Sequence, residues 1–291
     1  MSNYFQEFPV VDYKFGNEET TTRFQHLGTA VDILHQVKEY AVYYQTYHIQ
    51  NGERPEQLSY KLYGNVNHYW TFYLLNDHLR QGGWPLRDAD VYPKAQEYYP
   101  NTVLGVDGVA MQQEPKVVLG KIVWMPSQEY LPMTKSTVFV TGNYLYFPNS
   151  KVAGKILKID QKMAMIWTDA VGVRGVDTQC VAITAEEGLA VIADPEYVPV
   201  NQYAIMQIEK KWDEFDAPHH YEDAEGNWIY PSYSANFPNP FDHNSVNTMN
   251  SVSYYQRLLN TNDVQKEISV IKAGNINRVV SEFNRLLRSN N

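Results

Sequence analysis

Between residues 29 and 40 the apolar positions Val31, Leu34, Val37 and Tyr40 recur at near-helical spacing behind Thr29, a competent N-cap, which predicts one amphipathic helix. Residues 43–49 are rich in strand formers and end at Asn51 and Gly52, a turn signal, so a strand is expected there. Pro55 then stands where a helix begins, Glu56 suits its positive end, Leu58 and Leu62 share a face, and Gly64 follows as the stop. Asn65 can cap a second helix in which Val66, Tyr69, Trp70, Tyr73 and Leu74 form one broad apolar stripe, ended by Asn76 and Asp77. After it, Gly82, Gly83, Trp84 and Pro85 make a turn whose tryptophan can close over the helix pair. A weakly marked strand would complete a strand, helix, helix, strand unit over about 42–95.

The pattern changes at 101–210. Short β-branched runs at 116–125, 136–140, 155–159 and 163–168 are separated by Gly, Pro and Asn, which predicts an inserted all-β domain, a small barrel or sandwich. A hairpin is expected around Asp160, Gln161 and Lys162, and 188–193 with 202–208 would add two strands. Residues 211–250 hold many Pro, Asn, Asp and aromatics without a sustained period and read as an extended arm. Regularity returns with a strand at 267–271 and a terminal helix striped by Ile276, Val279, Val280, Phe283, Leu286 and Leu287. The expected fold class is α+β, divided as 1–100, 101–210 and 211–291.

Composition narrows the partners. Of 291 residues, 24 are Lys or Arg and 33 Asp or Glu, a formal charge of −9, so no basic surface is expected to meet a nucleic-acid backbone. No stretch reaches the roughly 20 apolar residues of a membrane helix, and residues 1–19 lack the apolar core of a secretory leader. The single Cys180 sits in an apolar run and is expected to be a buried, inert thiol. With 23 Tyr, 11 Phe and 6 Trp the chain is rich in aromatics of the kind that favour protein interfaces, though such residues also fill cores.

The run 52–77 carries a resemblance. Its opening at Arg54, Pro55 and Glu56, its turn at Leu62, Tyr63, Gly64 and Asn65, its Tyr69 and Trp70, and its ending at Asn76 and Asp77 closely resemble the baseplate wedge proteins of T-even-like phages, the gene product fifty-three family. Weaker likeness lies in 218–228, 267–272 and 279–287. The resemblance implies a virion structural protein of a contractile tail, made in the host cytoplasm, that joins wedge subunits and neighbouring wedges. The family is also similar to LysM modules, whose element order agrees with the one read from spacing. The alternative reading is therefore a LysM-type glycan-binding module attaching a tail or a cell-wall enzyme to peptidoglycan. The bulky Glu53, Arg54 and Pro55 replace the Gly-Asp-Thr-like turn of such modules and weigh against it.

Candidate partner-binding residues are Arg54, Tyr69, Trp70, Tyr73, Trp84, Val280, Phe283 and Leu287, although the stripe of Tyr69, Trp70 and Tyr73 also reads as core. The terminal helix is expected either to fold back on its own domain or to lie on a neighbouring wedge protein, the second being preferred because the preceding arm gives it the reach. No catalytic, cofactor or metal residues are assigned. His219 and His220 are adjacent, which is not metal-ligand spacing, and on a strand their rings would face opposite ways. The glycines around 105–108 and 172–175 fit no phosphate loop, and Glu56, Asp77 and Asp88 read as caps or turn residues, so no enzyme is expected.

Overall fold

The computed structural model describes residues 10–14, 16, 20–25, 44–173, 175–229 and 250–289. In chain order these begin with β1 (Val10–Tyr13), β2 (Thr22–Gln25) and β3 (Tyr44–His48), then α1 (Pro55–Tyr63), α2 (Trp70–Leu75), α3 (Asp77–Gly82) and α4 (Asp88–Tyr98). There follow β4 (Thr102–Val106), β5 (Val109–Val118), β6 (Lys121–Pro132), β7 (Tyr144–Phe147), β8 (Val152–Asp160), β9 (Met165–Thr168), β10 (Gln179–Ile183) and α5 (Ala185–Ala193). The remainder is β11 (Gln202–Asp213), β12 (Pro218–Glu222), β13 (Trp228–Ile229), β14 (Asn250–Ser253), α6 (Tyr254–Lys266), β15 (Glu267–Ile271) and α7 (Ile276–Ser289). The class is α+β, and the chain forms two compact units, one of 1–91 with 259–291 and one of 92–258. The helix expected over 29–40 lies outside the described residues.

In the first unit α1 forms where punctuation places it. Pro55 is at its first turn, Gln57 Oε1 accepts the Arg54 N–H at 3.1 Å, and Gly64, at φ 68°, donates its N–H to Tyr60 O. The second helix is not continuous. Asn65 caps a single 3-10 turn, α2 begins at Trp70, and the extended Asn76 separates α2 from α3. No strand follows the helices before residue 95; residues 88–98 form helix α4, with Asp88 and Asp90 in its first turn favouring the helix N-terminus. The strand that completes the unit is β15, which runs antiparallel to β3 with Ile268 opposite Tyr47 and Ile271 opposite Tyr44. Asn76 fastens it: Oδ1 accepts the Ser269 N–H at 2.8 Å, and Nδ2 donates to Ser269 O at 2.9 Å and Phe72 O at 2.7 Å. Asn262 holds Leu86 in the same two-handed way, at 2.7 and 3.0 Å.

The second unit is a closed barrel of six antiparallel strands in the order β4, β9, β8, β7, β10, β11, with β11 returning to β4. The predicted hairpin at 160–162 joins β8 to β9 with Asp160 opposite Met165. Closure removes the sheet edges. Val103, Leu104, Phe147, Ile166 and Met206 are among the residues that fill its core. Cys180 is fully buried there, and burial pushes its thiol up to about 12, beyond reactive range. Residues 188–193, expected as a strand, belong to helix α5; Thr184 accepts the Glu187 N–H and starts it. Gly188 is required where α5 lies on the barrel, since a Cβ there would stand 2.3 Å from the Tyr144 ring. No strand covers 136–140, and the run at 116–125 is the tip of a hairpin rather than one strand. The segment expected as an arm is partly sheet, with β12 between β13 and β14; residues 230–249 lie outside the described residues. Among the described residues no helix is long and apolar enough to cross a membrane.

Asp107 follows β4, and burial raises its carboxyl to about 6, against the opposing bond from the Val109 N–H. A raised acid stabilises the fold below its unfolded pKa and loses that contribution as pH rises through about 6. Asp107→Asn keeps the acceptor and removes the charge. It is expected to gain about 1–2 kcal/mol relative to the parent between pH 4 and pH 7, after discounting for partial exposure. Chemical denaturation of both proteins across that range checks it, and parallel pH profiles would contradict the assignment.

Candidate interaction surface

The eight candidate residues do not form one surface. Tyr69, Tyr73 and Trp84 pack around Ile49, Leu58, Phe72 and Ile268, whereas Trp70, Val280 and Phe283 join Leu74, Ile271, Ile276 and Val279. Both groups are core of the first unit, as a stripe at i, i+3, i+4 and i+7 allows. Trp84 does close over the second helix, with its ring 6.0 Å from those of Phe72 and Tyr73. Phe283 is 1% exposed, with its ring 4.8 Å from Trp70. This corrects the expectation that the terminal helix lies on a neighbour: α7 turns its apolar face onto its own unit, because β15 leaves Ile271 and Leu74 needing cover. The side chains of Leu286 and Leu287 lie outside the described residues. Arg54 is the candidate that stands exposed.

The loops at each end of the helix pair are tied to one another. Trp84 Nε1 donates to Glu53 O at 2.7 Å, and the Asp88 N–H donates to Asn51 Oδ1 at 3.0 Å. The Glu53 carboxylate accepts from Tyr47 Oη at 3.0 Å, the Gln50 N–H at 3.1 Å and Lys61 Nζ at 3.1 Å. Lys61, bonded to Tyr47 and Glu53, has its ammonium pKa raised by those bonds. These polar groups are thus spent on bonds within the unit.

Residues 14–113 match the phage family of base plate wedge protein 53. The match covers about a third of the 291 residues and takes in β2, β3, α1 to α4, β4 and the start of β5. That family is one of structural baseplate wedge proteins. No curated protein matches the chain by sequence. The wedge-family region ends before the barrel's remaining strands, so most of the second unit stands outside it.

The histidine pair differs from its expectation. A register shift between Pro218 and His220 in β12 brings the two rings onto each other, with the Nδ1 atoms 2.9 Å apart. Arg257 can only donate, so His219 Nε2 accepts from it. The His219 proton then sits on Nδ1, aimed at His220 Nδ1, and His220 Nε2–H donates to Glu222 Oε1 at 3.0 Å. Burial and then the Arg257 charge lower His219 to about 4, which keeps it neutral in this chain of bonds. His220 also stacks on Trp228 at 4.0 Å. The arrangement satisfies buried polar atoms, and no group of three or more metal-ligating side chains occurs among the described residues.

Sequence reasoning missed two exposed apolar surfaces, both in the second unit: the tip of the β5–β6 hairpin and the outer face of α5. Signals for both exist, in Gly120 between two β-branched pairs and in Thr184 with Glu187 ahead of an apolar run.

Proposed function

We propose that the protein is a wedge subunit of a contractile-tail baseplate that joins other wedge proteins and neighbouring wedges through protein contacts, without catalysis, and that it is assembled in the host cytoplasm. The match over 14–113 carries this reading. In it, β3, the helix pair and β15 form a LysM-like unit used for protein contact, the barrel is an inserted β-domain, and Arg54 is the exposed contact residue of the first unit. Density from purified tails tests it: the chain is expected in symmetric copies within the baseplate, and its absence from purified virions would refute the role.

The strand, helix, helix, strand order also favours examining the LysM-type glycan reading. The resemblance implies a shallow sugar groove between the loops flanking the helices, and here those loops are bonded to each other through Trp84 with Glu53 and Asp88 with Asn51. The purified protein is therefore expected to stay in the supernatant when spun with peptidoglycan or chitin. Saturable co-sedimentation at micromolar protein would reverse this preference.

A further inference from the structure

The β5–β6 hairpin leaves the barrel early. β5 pairs with β11 only through Met111 and Gln112, and beyond them the hairpin is a two-stranded ribbon. Pro115 faces Trp124 and Val117 faces Ile122 across it, so alternation puts these four on one face. Val117 is 75% exposed and Leu119, in the two-residue turn, 99%. Leu119 has φ 50° and Gly120 φ 77°, a left-handed pair that suits Asn or Asp followed by Gly and penalises leucine. The turn thus presents a leucine against its own conformational preference. Lys116 and Lys121 flank it on the ribbon's other face, beside Val118 and Val123, and no acidic residue occurs between 115 and 128.

The same unit carries a surface of opposite character. An open cavity of about 400 Å³, a size that receives small ligands or a few side chains, has Val152, Val171, Val191, Ile192 and Pro195 in its lining, with Lys151 and Asp169 as its charged members. Val171 is 86% exposed, and Ile192 and Leu189 stand exposed one helical turn apart on α5. Asp194 and Glu196 adjoin Pro195, and Lys151 is committed to Glu196 at 2.6 Å. Glu187 holds the following loop to α5 by accepting the Val200 and Asn201 N–H groups at 2.8 and 2.7 Å, so this face is fixed.

We infer that these surfaces are the two halves of a head-to-tail contact between copies of this chain: Leu119 and Val117 of one copy enter the cavity of the next, and Lys116 and Lys121 meet its carboxylates. Both surfaces remain exposed in the single chain, and they are complementary in hydrophobicity and in charge. A net charge of −9 opposes self-association in general, so the contact relies on this local cationic tip. A hairpin tip buries less than a standard interface of ~1,600 Å², so the contact is weak in the free protein and gains from repetition in an assembly. A heterologous contact of this type builds rings or filaments.

Sedimentation velocity on the full chain tests it. The parent is expected to show a weight-average mass that rises with concentration and falls as salt is added. Leu119→Asp, which gives the turn a residue it accommodates, and Ile192→Asp, on an exposed face, are each expected to weaken association about tenfold or more. Circular dichroism and unchanged melting establish that both are folded. The decisive arm is their equimolar mixture, in which one variant keeps an intact cavity and the other an intact hairpin. It is expected to yield a one-to-one dimer and nothing larger. A parent that stays monomeric up to its solubility limit, single variants that associate like the parent, or a mixture that stays monomeric would each overturn the inference.

Discussion

Replacing Phe283 by Ala lowers the melting temperature of the isolated protein, by roughly 10 °C for a loss of about 3–5 kcal/mol. The ring is 1% exposed, packs at 4.8 Å against Trp70, and shares its cluster with Leu74, Ile271, Ile276 and Val279. No apolar side chain next to it can fill the space without moving α2 or β15, so the cavity cost adds to the lost transfer energy. The direction separates two roles for α7. A helix that docked only on another subunit would leave the free protein's melting unchanged and fail at wedge assembly. A helix that closes its own unit shows its loss in the free protein. Phe283→Leu, which keeps most of the apolar volume, is expected to recover over half of the loss. Melting that is indifferent to Phe283→Ala would mean that the described packing of α7 is wrong.

What the chain's pattern revealed, and what it hid, follows from the range of each interaction. α1 was readable to the residue because Pro55, Glu56 and Gly64 act within a few positions of themselves. The β8–β9 hairpin was readable for the same reason. The partner of β3 was not, because β15 lies about three-quarters of the chain away and pairing across that distance leaves no local mark, while α4 follows the helices where a nearby strand would close the unit. The apolar run of α5 reads as a strand because so short an apolar run has no distinguishing period, and its start signal, Thr184 with Glu187, is polar. The aromatic stripe was correctly seen as apolar, but a stripe that suits a partner suits a core equally well. Exposure decides between these, and exposure is a property of the folded chain. The same holds for Leu119, which in sequence is one more apolar residue of a strand and in the structure is a strained, solvent-facing tip.

Asn76→Ala is expected to cost about 2–4 kcal/mol, which is large for a polar residue at a helix end. The ordinary meaning of Asn at that place is a stop signal, and losing a stop signal costs only tenths to about 1 kcal/mol. Asn76 does more, because its amide reproduces a strand neighbour. It bonds both the N–H and the carbonyl of Ser269, 193 residues away along the chain, at 2.8 and 2.9 Å, and the Phe72 carbonyl at 2.7 Å. Ser269 faces Thr46 in β3, so Asn76 occupies the opposite edge of β15 and pairs it where a third strand would. The side chain is buried, and its removal leaves the Phe72 carbonyl unpaired in a buried place and takes from Ser269 the partner of its outward N–H and carbonyl. Asp in its place keeps the acceptor for the Ser269 N–H but sets a charge against two carbonyls, so Asn76→Asp is expected to be at least as harmful as Asn76→Ala. Amide exchange gives the sharpest readout: the Ser269 N–H should lose protection in both variants, whereas amides of β15 bonded to β3 keep theirs until global unfolding. If Asn76→Ala melts within the error of the parent and the Ser269 amide stays protected, this asparagine is only a helix terminator, and β15 is held by β3 and α7 alone.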